Sequence, residues 1–395
     1  MSTEYEWIEK GNVLVLLGMF DEAVKCYDMA LKLNPKNEEA WISKGVALGV
    51  LGKHDKALEC FDEALKLNPK NEEAWFYKGV ALWELGKRDK TLECYDMALK
   101  LNPKYEYVWF NKGATLALLG RYEEALECLD MALKLNPKKE EAWFDKGAVL
   151  QELGRYEEAL ECLDMALKLN PKDEKAWFDK GAVLRRLGRY EEALECLDMA
   201  LKLNPKKEEA WFDKGAVLQE LGRYEEALEC LDMALKLNPK KEEAWFDKGA
   251  VLQELGRYEE ALECLDMALK LNPINEEAWL AKGLALVEVS RRGEALECYE
   301  EAIKINPENE EAWVCKGFAL GALGRYEEAL ECYEEAIKIN PENEEAWVGK
   351  GAALLLLDRP EEAVKCFDEA LRINPKNDKT QTLRRNALEL LSMRE

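Results

Sequence analysis

Apolar residues recur at helical spacing along this chain, and the pattern itself repeats. In residues 208–241, EEAWFDKGAVLQELGRYEEALECLDMALKLNPKK, the side chains of Ala227, Leu228, Leu231, Ala234 and Leu235 share one helical face. The spacing predicts a first helix from about Glu208 to Leu221 and a second from about Glu225 to Leu237. Acidic residues open both helices, where carboxylates favour the helix dipole. Gly222 follows the last apolar residue of the first helix, as a C-terminal glycine does. Asn238-Pro239 stops the second, because proline cannot continue a helix. Gly215, Ala227 and Ala234 are small enough for the helices to approach closely. Neither helix can bury its apolar face alone, so units of this kind must stack on one another.

The markers fix the period. Tryptophans stand at 34-residue intervals from Trp7 to Trp347, with only Trp83 off the ladder. Prolines from Pro35 to Pro375 and cysteines from Cys26 to Cys366 keep the same interval, with Pro360 and Cys315 as the exceptions. At about 150 residues per domain, 395 residues would suggest two or three globular domains. A fixed period indicates instead one array, residues 1–377, with repeats starting near 4, 38, 72, 106, 140, 174, 208, 242, 276, 310 and 344. Residues 378–395 lack the markers and are expected to form one amphipathic capping helix. Leu383, Leu390 and Leu391 would face inward, with Arg384, Arg385 and Glu389 outward. No comparable cap precedes Trp7, which leaves an apolar end that could associate with another copy.

Counting positions from the first residue of each repeat, Trp stands at 4, Gly at 8, Ala at 20, Leu, Tyr or Phe at 24, Ala at 27 and Pro at 32. This pattern resembles the tetratricopeptide repeat (TPR) family, over residues 4–377. One departure is consistent: position 7 is lysine in all eleven repeats, from Lys10 to Lys350, where the family usually has an apolar residue. The resemblance implies an all-α fold, a right-handed α-solenoid superhelix of antiparallel helix pairs. It also implies that the first helices line a concave groove that binds peptides or protein segments.

Composition narrows the function. The chain carries 56 Lys and Arg against 80 Asp and Glu, a net charge of −24. That charge is a poor match for nucleic-acid phosphates or anionic lipid and suits cationic partners. One histidine, His54, excludes a two-histidine metal site within the chain. No apolar stretch is long enough to span a bilayer, and the start, MSTEYEWIEK, has neither the basic flank nor the apolar core of a secretory signal. A cytoplasmic setting is expected, and free thiols at this density fit a reducing compartment. Equivalent helices of neighbouring repeats lie at least about 8–10 Å apart, too far for ladder cysteines to pair. No nucleotide-binding or zinc-protease motif is present, and neither a cofactor nor a metal is expected. The lysines of position 7 are expected to run along the repeat junctions and meet acids of adjacent helices.

The first helix varies between repeats at positions 5, 6, 9, 12 and 13, and the family geometry turns several of these into the groove. The middle repeats present Phe144, Phe178, Phe212 and Phe246 at position 5 and Asp145, Asp179, Asp213 and Asp247 at position 6. Together these form the expected binding residues, an acidic groove with aromatic rungs. Trp83, at position 12, is a further candidate anchor, with local packing as the alternative. Positions 12 and 13 turn apolar toward both ends, as in Val15 and Leu16 or Leu355 and Leu356, through exposure or through packing between first helices. Clamping of a peptide carboxylate, known in the family, is not expected. Asn12 and Asn111 are not in adjacent repeats, and position 5 lacks lysine. The expected function is a non-enzymatic scaffold binding a basic protein or peptide segment with apolar anchors. The rival readings are a self-associating structural array and the recognition subunit of a larger complex.

Overall fold

The computed structural model of the chain describes residues 3–393, and their regular structure is all helical. Two compact units emerge, Met1–Arg189 and Tyr190–Glu395. The first holds α1 (Glu4–Leu16), α2 (Phe20–Leu33), α3 (Glu38–Val50), α4 (His54–Leu67), α5 (Glu72–Glu84), α6 (Arg88–Leu101), α7 (Glu106–Leu118), α8 (Tyr122–Leu135), α9 (Glu140–Glu152), α10 (Tyr156–Leu169) and α11 (Glu174–Arg186). The second holds α12 (Tyr190–Leu203), α13 (Glu208–Glu220), α14 (Tyr224–Leu237), α15 (Glu242–Glu254), α16 (Tyr258–Leu271), α17 (Glu276–Glu288), α18 (Arg292–Ile305), α19 (Glu310–Ala322), α20 (Tyr326–Ile339), α21 (Glu344–Leu356), α22 (Pro360–Ile373) and α23 (Asp378–Ser392). Odd-numbered helices through α21 are the first helices of their repeats and even-numbered ones the second. Within each unit they pack as antiparallel pairs stacked in chain order.

Each pair closes on a glycine. The helical glycine at position 8 lies under the large residue at position 24, so a Cβ on Gly45 would stand 2.5 Å from the Phe61 ring. A second glycine ends the first helix. Gly52 and Gly222 have φ of 72° and 69°, a left-handed conformation that costs other residues energy. Ser290 and Asp358 take the same conformation, at 63° and 61°, without being glycine. The core between the two helices is built from alanines, ladder cysteines and the position 24 side chain, of which Tyr27, Phe61 and Leu129 are almost fully buried.

The junctions between repeats explain the other markers. Trp41 Nε1 donates to the Pro35 carbonyl at 3.0 Å, and the same bond links Trp245 to Pro239. The tryptophan therefore locks the turn before its own repeat rather than filling only the space between its two helices. Above its ring lies the position 7 lysine, Lys44 Nζ standing 5.2 Å from the Trp41 centroid. The same ammonium group meets Asp28 of the preceding second helix at 2.7 Å. Lys248 repeats this with Trp245 and Asp232. A further latch joins each repeat's first glutamate to its last turn. Asn34 and Asn37 donate to Glu4 at 2.8 and 3.2 Å, while Lys241 meets Glu208 at 3.1 Å where lysine replaces asparagine.

The C-terminal helix α23 continues these junctions with other residues. Gln381 Nε2 donates to the Pro375 carbonyl at 2.9 Å in place of a tryptophan, and Arg384 pairs with Asp368 in place of a lysine. Leu383 packs on the core as expected, but Leu390 is 45% exposed. The register set by Gln381 buries Thr380 and Ala387 instead, and Leu390 falls off that face. Residues 394 and 395 of the expected cap lie outside the described residues.

Candidate binding face of the first helices

Neighbouring first helices touch along both units, as α3 does α5 and α7 does α9 in the first, and α15 does α17 in the second. They form a face on which the variable positions gather. Position 13 is exposed: Leu16 is 87% accessible, and Val50, Leu118 and Leu356 also project into solvent. Exposure, rather than packing, thus accounts for the apolar residues at position 13 of the outer repeats. Position 12 behaves differently. It is partly buried and faces position 6 of the next repeat, as the Gln253 Nε2 bond to the Ala281 carbonyl at 2.7 Å demonstrates.

Beside two small position 12 residues a cleft opens. Gly49 borders one of about 430 Å³ between α3 and α5, lined by Val46, Val50, Phe61, Tyr77 and Val80, with His54 and Glu84 at its polar part. Tyr77 stacks over Phe61 there with centroids 6.0 Å apart. Ala117 borders the other, of about 370 Å³ between α7 and α9, whose walls include Leu118, Tyr122, Val149, Glu152 and Asp145. Burial pushes the Asp145 carboxyl up to about 6, reinforced by Glu141 and opposed by Lys139.

The expected site residues occupy distinct surroundings. Asp145, Asp179, Asp213 and Asp247 are all partly buried, and the last three have interactions of their own. Phe144, Phe178, Phe212 and Phe246 are also half-buried. The Phe212 ring lies beneath the Lys241 ammonium at 4.4 Å. Phe110, at the same position in an earlier repeat, lies beneath Lys139 at 4.5 Å. Trp83 is half-buried with the Arg88 guanidinium 5.4 Å from its ring. Asn111 is turned to its own helix, donating to the Tyr107 carbonyl at 2.7 Å. The clefts at Gly49 and at Ala117 were not expected. Their signal was the small residue at position 12, which shows its meaning only once its partner at position 6 is known.

A second kind of cleft lies beside the second helices. One of about 530 Å³ is lined by Leu228, Asp232, Trp245, Lys248, Arg257, Glu260 and Cys264. Two ion pairs lie in it, Lys248 to Asp232 and Arg257 to Glu260, each at 2.6 Å, and Glu225, Glu229 and Glu263 line it as well. These clefts are the outer side of the junctions. Burial pushes the Cys60 and Cys264 thiols up to about 11 and that of the half-buried Cys315 up to about 12, away from the thiolate that a nucleophile needs. Among the described residues no group of acidic, cysteine and histidine side chains is placed to hold a metal, and no helix is long and apolar enough to cross a membrane.

Comparison with known proteins gives the same architecture. Tetratricopeptide repeat models match residues 5–37, 181–243, 223–285, 276–309, 298–331 and 316–378. Residues 37–210 match the C-terminal domain of cilia and flagella-associated protein 70. The Cut9–Hcn1 assembly of the APC/C contains a chain similar in fold, at 14% identity over 98% of this chain and 97% of that one, with a TM-score of 0.50. YrrB, described as a TPR protein with an unusual peptide-binding site, is 26% identical over 47% of this chain and 96% of its own, with a TM-score of 0.44. Yeast Tom70 is 18% identical over 99% of this chain and 96% of its own, at a TM-score of 0.42. No curated protein matches. Repeat period, paired helices and matching family models all agree: the chain belongs to the tetratricopeptide repeat family.

Proposed function

We propose that this chain is a non-enzymatic interaction scaffold whose first-helix face binds a basic peptide or protein segment carrying apolar anchors. The observation that carries this reading is the pair of clefts on that face in the first unit, one apolar at Gly49 and one apolar with a partly buried carboxyl at Asp145. The junction cleft at Asp232 already holds two cations of the chain itself, Lys248 and Arg257. A cationic ligand is favoured by the net charge of −24 as well as by Asp145, because complementary charge steers encounter and selects partners. A cytoplasmic setting belongs to the same reading. Binding to an arrayed peptide library at two salt concentrations tests it. Selective capture of basic peptides with apolar residues, weakened by salt, is expected. Capture without preference for basic peptides would refute it.

Self-association is a second reading, supported by α1 and the residue that ends it, where Tyr5, Val13, Leu16 and Leu17 are all more than half exposed. Light scattering over a concentration series would show growing mass. Constant monomer mass at high concentration would exclude it.

A further inference from the structure

In the second unit a position 12 side chain reaches position 6 of the following repeat. Gln253 demonstrates the reach, donating to the Ala281 backbone one repeat on. Gln151 and Gln219 hold the same position ahead of Asp179 and Asp247, and those two aspartates have interactions of their own. Ahead of Asp145 stands Ala117, which has no donor and no length. Among the described residues no hydrogen bond or ion pair reaches the Asp145 carboxylate. The volume that a longer side chain would take is the cleft of about 370 Å³.

We propose that this cleft is a subsite for one cationic side chain, a lysine or arginine of the segment bound along the first-helix face. The inference rests on that reading of the face and adds where a positive charge of the ligand is held. An unpaired carboxylate in apolar surroundings is costly, and an incoming ammonium or guanidinium group removes the cost. Ala114, Ala117, Leu118, Ala148 and Val149 supply walls for the aliphatic stem of such a side chain. Glu152, with Tyr122 Oη 3.5 Å from its carboxylate, adds negative charge to the same cleft. Lys139 lies near enough to act on Asp145 through its charge, but its ammonium group is engaged over the Tyr107 and Phe110 rings. The raised Asp145 carboxyl, at about 6, agrees with a charge awaiting a partner and still leaves it ionised at neutral pH.

The test is methyl NMR of the full chain, titrated with N-acetyl-arginine methylamide and with its neutral isostere N-acetyl-citrulline methylamide. The arginine probe should move the Leu118 and Val149 methyl signals, and the citrulline probe should not. Asp145→Asn and Ala117→Gln should each weaken the arginine response by about tenfold or more, the usual scale for a hydrogen bond to a charged group. Ala117→Gln keeps the net charge and brings an amide donor of the same reach as Gln253 to the cleft beside Asp145. An equal response to both probes, or an arginine response unchanged in Ala117→Gln, would overturn the subsite. So would no response of Leu118 and Val149. The same variants on the peptide array separate the two claims. Undiminished capture of basic peptides by Ala117→Gln would sink the subsite while the face reading stands. No preference for basic peptides in the parent chain would sink the face reading itself.

Discussion

Asp145 and Asp179 are the same residue type at the same repeat position, but their surroundings differ: Ala117 against Gln151 a repeat earlier, and Glu141 against Lys175 one helical turn earlier. A cation held by Asp145 needs the ionised carboxyl, which burial pushes up to about 6. Affinity for the arginine probe should therefore fall as the pH drops through that value, and an affinity flat across it would contradict the role of Asp145. Glycines give predictions of the same scale. Gly45→Ala places a methyl 2.5 Å from the Phe61 ring and should destabilise by about 1–3 kcal/mol. Gly147→Ala should cost less, because its nearest neighbour is Leu163 Cγ at 3.2 Å. Denaturant unfolding of the two variants checks the order, which would be reversed or absent if the contact at position 8 did not limit packing. Ser290→Gly should gain about 1 kcal/mol by relieving a left-handed conformation that glycine takes freely. A loss of stability in that variant would show that the serine makes up for its backbone elsewhere.

At the scale of elements, the latch between the first glutamate of a repeat and its last turn is not uniform. Asparagine or lysine opposes the glutamate in most repeats, but Asp173 opposes Glu140. Burial and the Asp173 carboxyl push Glu140 up to about 7, with Glu141 adding to the shift and Asn170 opposing it. The folded-state value exceeds the ordinary 4.5, so the stability this group contributes is fully present below about 4.5 and is lost as the pH rises through about 7. Asp173→Asn should restore the common latch and stabilise the joint between α9 and α11 by about 1 kcal/mol above neutral pH, with the gain shrinking in acid. The cap on α11 should survive, because asparagine accepts from the helix as well as aspartate, which here takes the Lys175 and Ala176 amides at 2.9 and 3.3 Å. Unfolding at several pH values measures this. A gain independent of pH would exclude a shared proton between Glu140 and Asp173.

Over the whole molecule, the period, the helix pairs and the lysine junctions were legible because each is written within one repeat or between adjacent ones. The first helix expected over Glu208–Leu221 is found over Glu208–Glu220, and the second starts at Tyr224 rather than Glu225. The candidate site was legible only in part. Which residues vary is visible in sequence, but which of them meet is not, since position 12 and the following position 6 are 28 residues apart, as in Gln253 and Ala281. Phenylalanines at position 5 looked like free rungs, yet Phe212 is roofed by Lys241, a contact no helical periodicity encodes. Leu390 failed for a related reason: a terminal helix takes its register from Gln381 and Arg384 at the junction, not from its own apolar count. The most direct test of the account is photo-crosslinking of a basic, benzophenone-bearing peptide to the full chain, with the modified residues read by mass spectrometry. Cross-links on the first helices, around Val50 and Leu118, are the predicted result. Cross-links concentrated on the second helices, around Asp232 and Glu260, would contradict it.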